Sequence, residues 1–260
     1  MILIGMCSAE EGKLLNKGVF PKFTLTQPTV PEGTTKWVVR GTPGLHWSCE
    51  LKRVPNTGGH KHAGGPTGKL SPKSGTIPSS GVVTGIKHKT PAVAGDIELK
   101  YKIGTTSGSV YSRAMIAGLV ELPVTSAIER VGITKTHPQS HYGTQAMTAA
   151  IVSLAEKYYK KFSKPLGVND ISLIWGGLFD HKATWAAPHA THRMGVDADI
   201  RTKDMSKDQK AFLVKEAKAM KFKVLEEKDP PHHHLTLQAT KPLLLKFTRG
   251  TRKSKKTSLT

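Results

Sequence analysis

From Asp96 to Ile103 the apolar side chains fall on every second position: Ile97, Leu99, Tyr101 and Ile103. Such alternation marks a strand with one buried and one wet face. Phe20–Gln27, Trp37–Arg40, His46–Val54 and Gly81–Lys89 are further β-prone runs. Turn chemistry such as Pro31-Glu-Gly-Thr34 separates them, and 25 Gly and 16 Pro supply many such turns. Residues 17–120 are therefore expected to form an all-β sandwich. Asn56–Ser80, rich in Gly, Pro, Ser and Thr, reads as a long loop on it.

The period changes after about Glu121. Met147, Ile151, Leu154 and Tyr158 follow helical spacing, with Thr144 placed as an N-cap. Ser206 to Met220 reads as a second helix, capped by Ser206, with Phe212, Leu213, Ala217 and Met220 facing inward. Ile171–Trp175, ended by Gly176-Gly177, reads as a buried strand. Gly195–Arg201, Phe222–Glu226 and His232–Leu237 read as further strands, the last two paired. Residues 121–240 are expected to be an α+β domain with a small antiparallel sheet. The whole is thus a two-domain chain ending in a basic tail, 241–260.

The chemistry lies in two segments. Pro188–Arg201 carries His189, His192, Asp197 and Asp199, and Asp229–Leu237 carries Asp229 and three consecutive histidines. Period two puts Asp197 and Asp199 on one strand face, and His232 and His234 together with His233 opposite. His192, Asp199 and one late histidine make a three-donor zinc set with a coordination position open to water. One of His232 and His234 binds the metal and the other faces the open position, where an imidazole titrating near neutrality can take a proton. Asp229 is a carboxylate able to orient one of these imidazoles or to act as the base. Asp197 can support Asp199 or a neighbouring histidine from behind. Gly195 lets the backbone turn between His192 and Asp199.

These residues carry a resemblance. His192-Arg-Met-Gly-Val-Asp-Ala-Asp199 with Pro231-His-His-His234-Leu resembles the zinc peptidase group of lysostaphin-type enzymes, D-Ala-D-Ala carboxypeptidases and the sonic hedgehog signalling domain. Within that group the likeness is to the penicillin-insensitive murein endopeptidases. It runs through Tyr142-Gly-Thr144, Val168-Asn-Asp-Ile-Ser172, Gly176-Gly177 and His189 to Asp199, and covers roughly Ile133 to Leu237. The resemblance implies Zn2+ on His192, Asp199 and His234. It implies His232 as a catalytic imidazole and His189 as a further active-site histidine. It implies a metallopeptidase, of endopeptidase or carboxypeptidase type, that cuts peptide cross-links of peptidoglycan. The alternative is a cell-wall-binding protein with a structural zinc. The β-rich half loosely resembles immunoglobulin-like modules of bacterial surface proteins.

The formal charge of +20 predicts attraction to polyanions. Peptidoglycan stems and anionic wall or outer-membrane polymers fit that charge. Nucleic acid is a poor fit, because aromatics make up 6% of the chain and no nucleic-acid-binding motif accompanies the basic runs. No apolar run reaches membrane-spanning length. The substrate implies a periplasmic or secreted protein, although Met1–Cys7 is too short and lacks the basic leader of a signal peptide. The two cysteines, Cys7 and Cys49, are read as free thiols. His60 and His62, at i and i+2, could bind a metal, but they are read as residues of a flexible polar loop facing water, with no carboxylate or cysteine nearby to complete a site. His137 is assigned a structural or substrate-side role, since Pro138 argues against a helix carrying His137 and His141 together.

Overall fold

The computed structural model describes residues 3–6, 29–180, 182–185 and 191–238. Phe20–Gln27, Cys7, His189 and the basic tail lie outside the described residues. The fold is mostly β, with two helices among the described residues. β1 (Leu3–Met6), β2 (Thr34–Arg40), β3 (His46–Arg53), β4 (Lys69–Ser71), β5 (Ser74–Thr76), β6 (Val82–Lys89), β7 (Gly95–Ile103) and β8 (Thr106–Ala114) form two four-stranded sheets. Their orders are β1-β2-β6-β4 and β5-β3-β7-β8. Trp37, Val39, Leu70 and Ile86 from the first sheet meet Trp47, Cys49, Leu99 and Ile103 from the second in one apolar cluster. That is sandwich-like packing, and it follows from the alternation read in the sequence. Burying large apolar side chains such as Trp37 and Trp47 contributes on the order of 2–3 kcal/mol each. Cys49 is free and buried there.

Two features of this half depart from the sequence reading. Asn56–Ser80 is not all loop, because β4 pairs with β6 and β5 with β3. Strands of three residues have no readable period, and their neighbours define them. β8, rich in Ser and Thr, carries no apolar alternation; it is a strand because it closes a hairpin on β7 along its whole length.

The C-terminal region adds β9 (Leu119–Glu121), β10 (Ile128–Arg130), β11 (Tyr142–Thr144), α1 (Gln145–Phe162), β12 (Leu166–Asp170), β13 (Asp197–Arg201), α2 (Lys207–Ala219), β14 (Phe222–Lys228) and β15 (Pro231–Leu237). The five-stranded sheet runs β10-β12-β13-β15-β14. It is mixed rather than antiparallel, because β10 lies parallel to β12. Thr144 caps α1 by accepting the Met147 N–H at 3.2 Å. Ser206 and Gln209 form a reciprocal capping box on α2. Met147, Ile151, Leu154 and Tyr158 of α1 and Leu213 and Ala217 of α2 cover Leu166, Val168, Ala198, Ile200 and Leu235 of the sheet. The other face of β13 and β15 is left for polar chemistry.

The buried strand expected at Ile171–Trp175 lies one step earlier, at Leu166–Asp170. Ile171 and Leu173 are fully buried, which produced the apolar signal, but they follow the end of the strand. The Ile171 N–H bonds Ser140 O at 2.9 Å instead of a ladder partner. The Gly176-Gly177 pair that follows meets the N-terminal region. Gly177 forms an antiparallel bridge with Val93, and a side chain on it would lie 2.7 Å from Ala94 N. Leu178 N–H to Ala92 O (2.8 Å) and Ile116 N–H to Trp175 O (2.9 Å) continue the contact.

Candidate metal centre

β13 and β15 are adjacent and antiparallel, with Asp199 opposite His234, Arg201 opposite His232 and Asp197 opposite Thr236. Period two therefore places Asp197, Asp199, His232 and His234 on one face, while His233 points to the other side, as the sequence predicts. Thus the strand pairing alone brings a carboxylate and an imidazole together. His234 Nδ1 lies 2.7 Å from Asp199 Oδ1.

His192 arrives from the connection between β12 and β13. Its Nδ1–H donates to Ile171 O at 2.7 Å, which fixes the tautomer and aims Nε2 at Asp199 Oδ1, 3.4 Å away. His192, Asp199 and His234 are all buried, and one ligand atom from each lies within 4.8 Å of the others. His232 completes the cluster. Its Nδ1–H donates to Pro230 O at 2.7 Å, leaving Nε2 3.3 Å from Asp199 Oδ2. Asp197 Oδ1 lies 3.3 Å from His234 Nε2 and accepts the Thr236 hydroxyl at 2.7 Å. It therefore sits behind His234, on the side away from Asp199.

The electrostatics follow from this crowding. Burial alone would lower the His192 imidazole. The bond to Asp199 and the charges of Asp170 and Asp199 outweigh it and raise His192 to about 9. Burial also opposes protonation of His234, and Asp197 and Asp199 outweigh it to raise that imidazole to about 10. Asp199 is held well below the usual carboxylate range: burial pushes it up, but the bonds from His192 and His234 prevail. Two imidazoles and a carboxylate, with His192 Nδ1 bonded to Ile171 O and Asp197 standing 3.3 Å from His234 Nε2, are a donor set suited to a divalent metal ion.

Not every residue named from sequence joins this group. Asp229 is exposed in the turn between β14 and β15, and the backbone carbonyl of Pro230, not Asp229, orients His232. His189 lies outside the described residues. His141 is structural, donating from Nε2 to Val168 O at 2.9 Å. Two carboxylates escape the sequence reading. Asp170 Oδ1 stands 3.1 Å from His192 Nδ1, and Glu227 Oε2 stands 3.5 Å from His232 Nε2. Asp170 sits inside the Val168–Ser172 motif, and Glu227 is the cross-strand partner of His232, so pairing β14 with β15 in register would have found it. The reading of His60 and His62 as lacking a carboxylate is also corrected. Asp180 and His137, remote in sequence, join them in a second group of possible metal donors.

The sequence profile of the penicillin-insensitive murein endopeptidases matches residues 107–250, more than half of the chain. This chain belongs to the penicillin-insensitive murein endopeptidase family. The members of that family are metallo-enzymes, in keeping with the buried His/Asp groups. The matched span contains both site strands and all of His192, Asp199, His232 and His234. It begins inside β8, ahead of the change in period near Glu121. A comparison with curated proteins found no match. Among solved structures, a PapD-like domain of human CEP192 (PapD-like domain 7) aligns at 16% identity and a TM-score of 0.24, covering 40% of this chain and 94% of that one.

Proposed function

We propose that the chain is a zinc-dependent peptidase that hydrolyses peptide cross-links of bacterial peptidoglycan, acting in the periplasm or after secretion. One observation carries this reading: within a span matching a murein endopeptidase family, His232 presents a ring nitrogen 3.3 Å from Asp199, beside His192 and His234. His192, Asp199 and His234 would hold the ion. A bound zinc ion supplies Lewis-acid activation of water and polarisation of the scissile carbonyl.

The remaining work falls to the chain. His232 gives its Nδ1–H to Pro230 O, so in the neutral ring Nε2 is the basic atom. It takes a proton from the attacking water and returns it to the departing amine. Glu227, 3.5 Å from the same nitrogen, stabilises the imidazolium between the two transfers. Asp197 keeps His234 oriented. His189 would serve as a further active-site histidine. Residues 17–120 would dock or space a catalytic domain of residues 121–240, and the net charge of +20 suits a wall polymer bearing carboxylates and phosphates.

The test is release of muropeptides from purified sacculi by the zinc-loaded chain and by His232→Ala. The variant is expected to keep its metal and lose about 10²–10⁴-fold in rate. Cleavage by neither protein, with metal bound to both, would favour a wall-binding protein with a structural ion. Equal cleavage by both would remove His232 from the mechanism.

A further inference from the structure

We propose that His60, His62, His137 and Asp180 form a second metal site. It would take a zinc-type divalent ion that fastens the N-terminal His60–His62 loop to the β12–β13 connection. The inference does not depend on the peptidase reading.

Three imidazoles surround one carboxylate oxygen. His60 Nδ1, His62 Nε2 and His137 Nε2 lie 3.1, 3.4 and 3.0 Å from Asp180 Oδ1. Donors about 2.0–2.2 Å from a tetrahedral zinc are separated by roughly 3.3–3.5 Å, so the group already has nearly the dimensions of a coordination shell. All four residues supply an atom within 4.8 Å of the others.

Hydrogen bonding does not account for this cluster. Of the three imidazoles, only His137 bonds the carboxylate with hydrogen-bond geometry. Both ring nitrogens of His60 and both of His62 are buried without a hydrogen-bond partner, and His60 is only 1% exposed. Leaving such buried groups unpaired is unfavourable. A cation at the centre uses the lone pairs that face the cluster and removes the repulsion between them and the carboxylate.

The donors are also held from behind. His137 Nδ1 lies 3.2 Å from the Thr136 hydroxyl, and Asp180 Oδ2 accepts the Trp185 N–H at 2.7 Å. Lys61, between the two loop histidines, donates its N–H to Thr136 O at 2.7 Å. The Trp185 indole packs on His62 with ring centroids 4.1 Å apart and donates to Ala63 O at 3.0 Å. Outer support of this kind is typical of metal-binding imidazoles.

Donor type and charge narrow the ion. The buried Arg53 guanidinium lies 4.9 Å from the Trp185 ring, and its charge opposes a weakly bonded cation nearby. Three imidazoles and one carboxylate favour a borderline transition metal over calcium or magnesium. Four protein donors close a tetrahedral shell, which is the pattern of a structural site. His60 and His62 belong to the N-terminal region, while Asp180 and His192 both belong to the β12–β13 connection. The ion would therefore brace the segment that delivers His192.

The experiment is metal analysis of the full-length chain after Zn2+ loading and desalting. Two equivalents are expected in wild type, one in His192→Ala, one in His62→Ala and none in the double variant. Because unfolding of His62→Ala would also release metal, Co2+ provides a second readout. One equivalent added to folded His192→Ala should give the visible bands of tetrahedral cobalt with imidazole ligands. A folded His192→Ala that binds neither Zn2+ nor Co2+ overturns the proposal. A wild type holding a single ion that survives His192→Ala and disappears in His62→Ala upholds it, and removes the ion from the peptidase reading instead.

Discussion

The two histidine groups use the same side-chain types, yet His192 and His234 in the first are raised while His60 and His62 in the second are lowered. Around His192, His232 and His234 stand Asp170, Asp197 and Asp199, and the His192 and His234 imidazoles rise to about 9 and 10. Around His60, His62 and His137 stands Asp180, with Arg53 nearby, and burial lowers both His60 and His62. Both groups are buried, so desolvation disfavours charge in each. The difference is the number of carboxylates available to offset it. His192 and His234 have carboxylates enough to hold protons, whereas His60 and His62 have too little negative charge beside them for that.

This contrast predicts two limbs in the pH dependence of the chelator-treated protein. A folded-state imidazole raised above its unfolded value of about 6.5 stabilises fully below 6.5, and the contribution fades as pH climbs through 9 to 10. The His192–His234 pair should therefore destabilise the metal-free chain by a few kcal/mol between pH 6.5 and 10. A lowered imidazole has the opposite sign. Its contribution is complete above about 6.5 and is lost as pH falls through the lowered value. Denaturant titrations in chelator at pH 5, 6.5 and 9.5 should show a maximum at the middle value. His234→Ala should flatten the alkaline limb and leave the acid one. Stability independent of pH between 6.5 and 9.5 would break the comparison.

A smaller effect tests how the first group is held. Asp197 contacts His234 Nε2, on the far side of the ring from Asp199. Replacing such an outer carboxylate weakens metal affinity about 10–100-fold. Asp197→Asn should show that loss in competition with a chromophoric chelator, without changing the number of ions bound at saturation. An unchanged affinity would mean that strand pairing alone orients His234.

The same contrast explains what the sequence makes legible. His232 and His234, and Asp197 and Asp199, lie on strands, where period two fixes which side chains share a face. Pairing β13 with β15 then brings Asp199 opposite His234, so the strand-borne part of the first group follows from period two, whereas Asp170 beside His192 does not. His60, His62, His137 and Asp180 lie on irregular segments with no period, and tertiary packing alone unites them. The buried apolar run Ile171–Trp175 misleads for a related reason. Its burial is legible, but a hydrophobic run does not distinguish a strand from a buried coil. β4 and β5 stay hidden because three residues are too few to show alternation. Asp229 draws notice as a carboxylate beside three histidines, yet in the turn it is exposed.

A further effect concerns the backbone around His192. Gly195 adopts φ +68°, and a side chain there would lie 2.6 Å from Leu119 Cδ2 and 3.0 Å from Gly143 Cα. Its carbonyl accepts the N–H of Thr144, the α1 cap, at 2.8 Å. Gly44 in the N-terminal region adopts φ +83°, but a side chain there would meet nothing within 4 Å. The left-handed conformation alone costs a non-glycine residue about 1 kcal/mol. Gly44→Ala should lose about that much in denaturant titrations. Gly195→Ala should lose roughly 1–2 kcal/mol more, because β11 and Leu119 must give way. It should also weaken metal binding at His192, which Gly44→Ala should leave unchanged. Equal losses in the two variants would mean that the close approach at Gly195 does not hold the site, and that its backbone angle is the whole constraint.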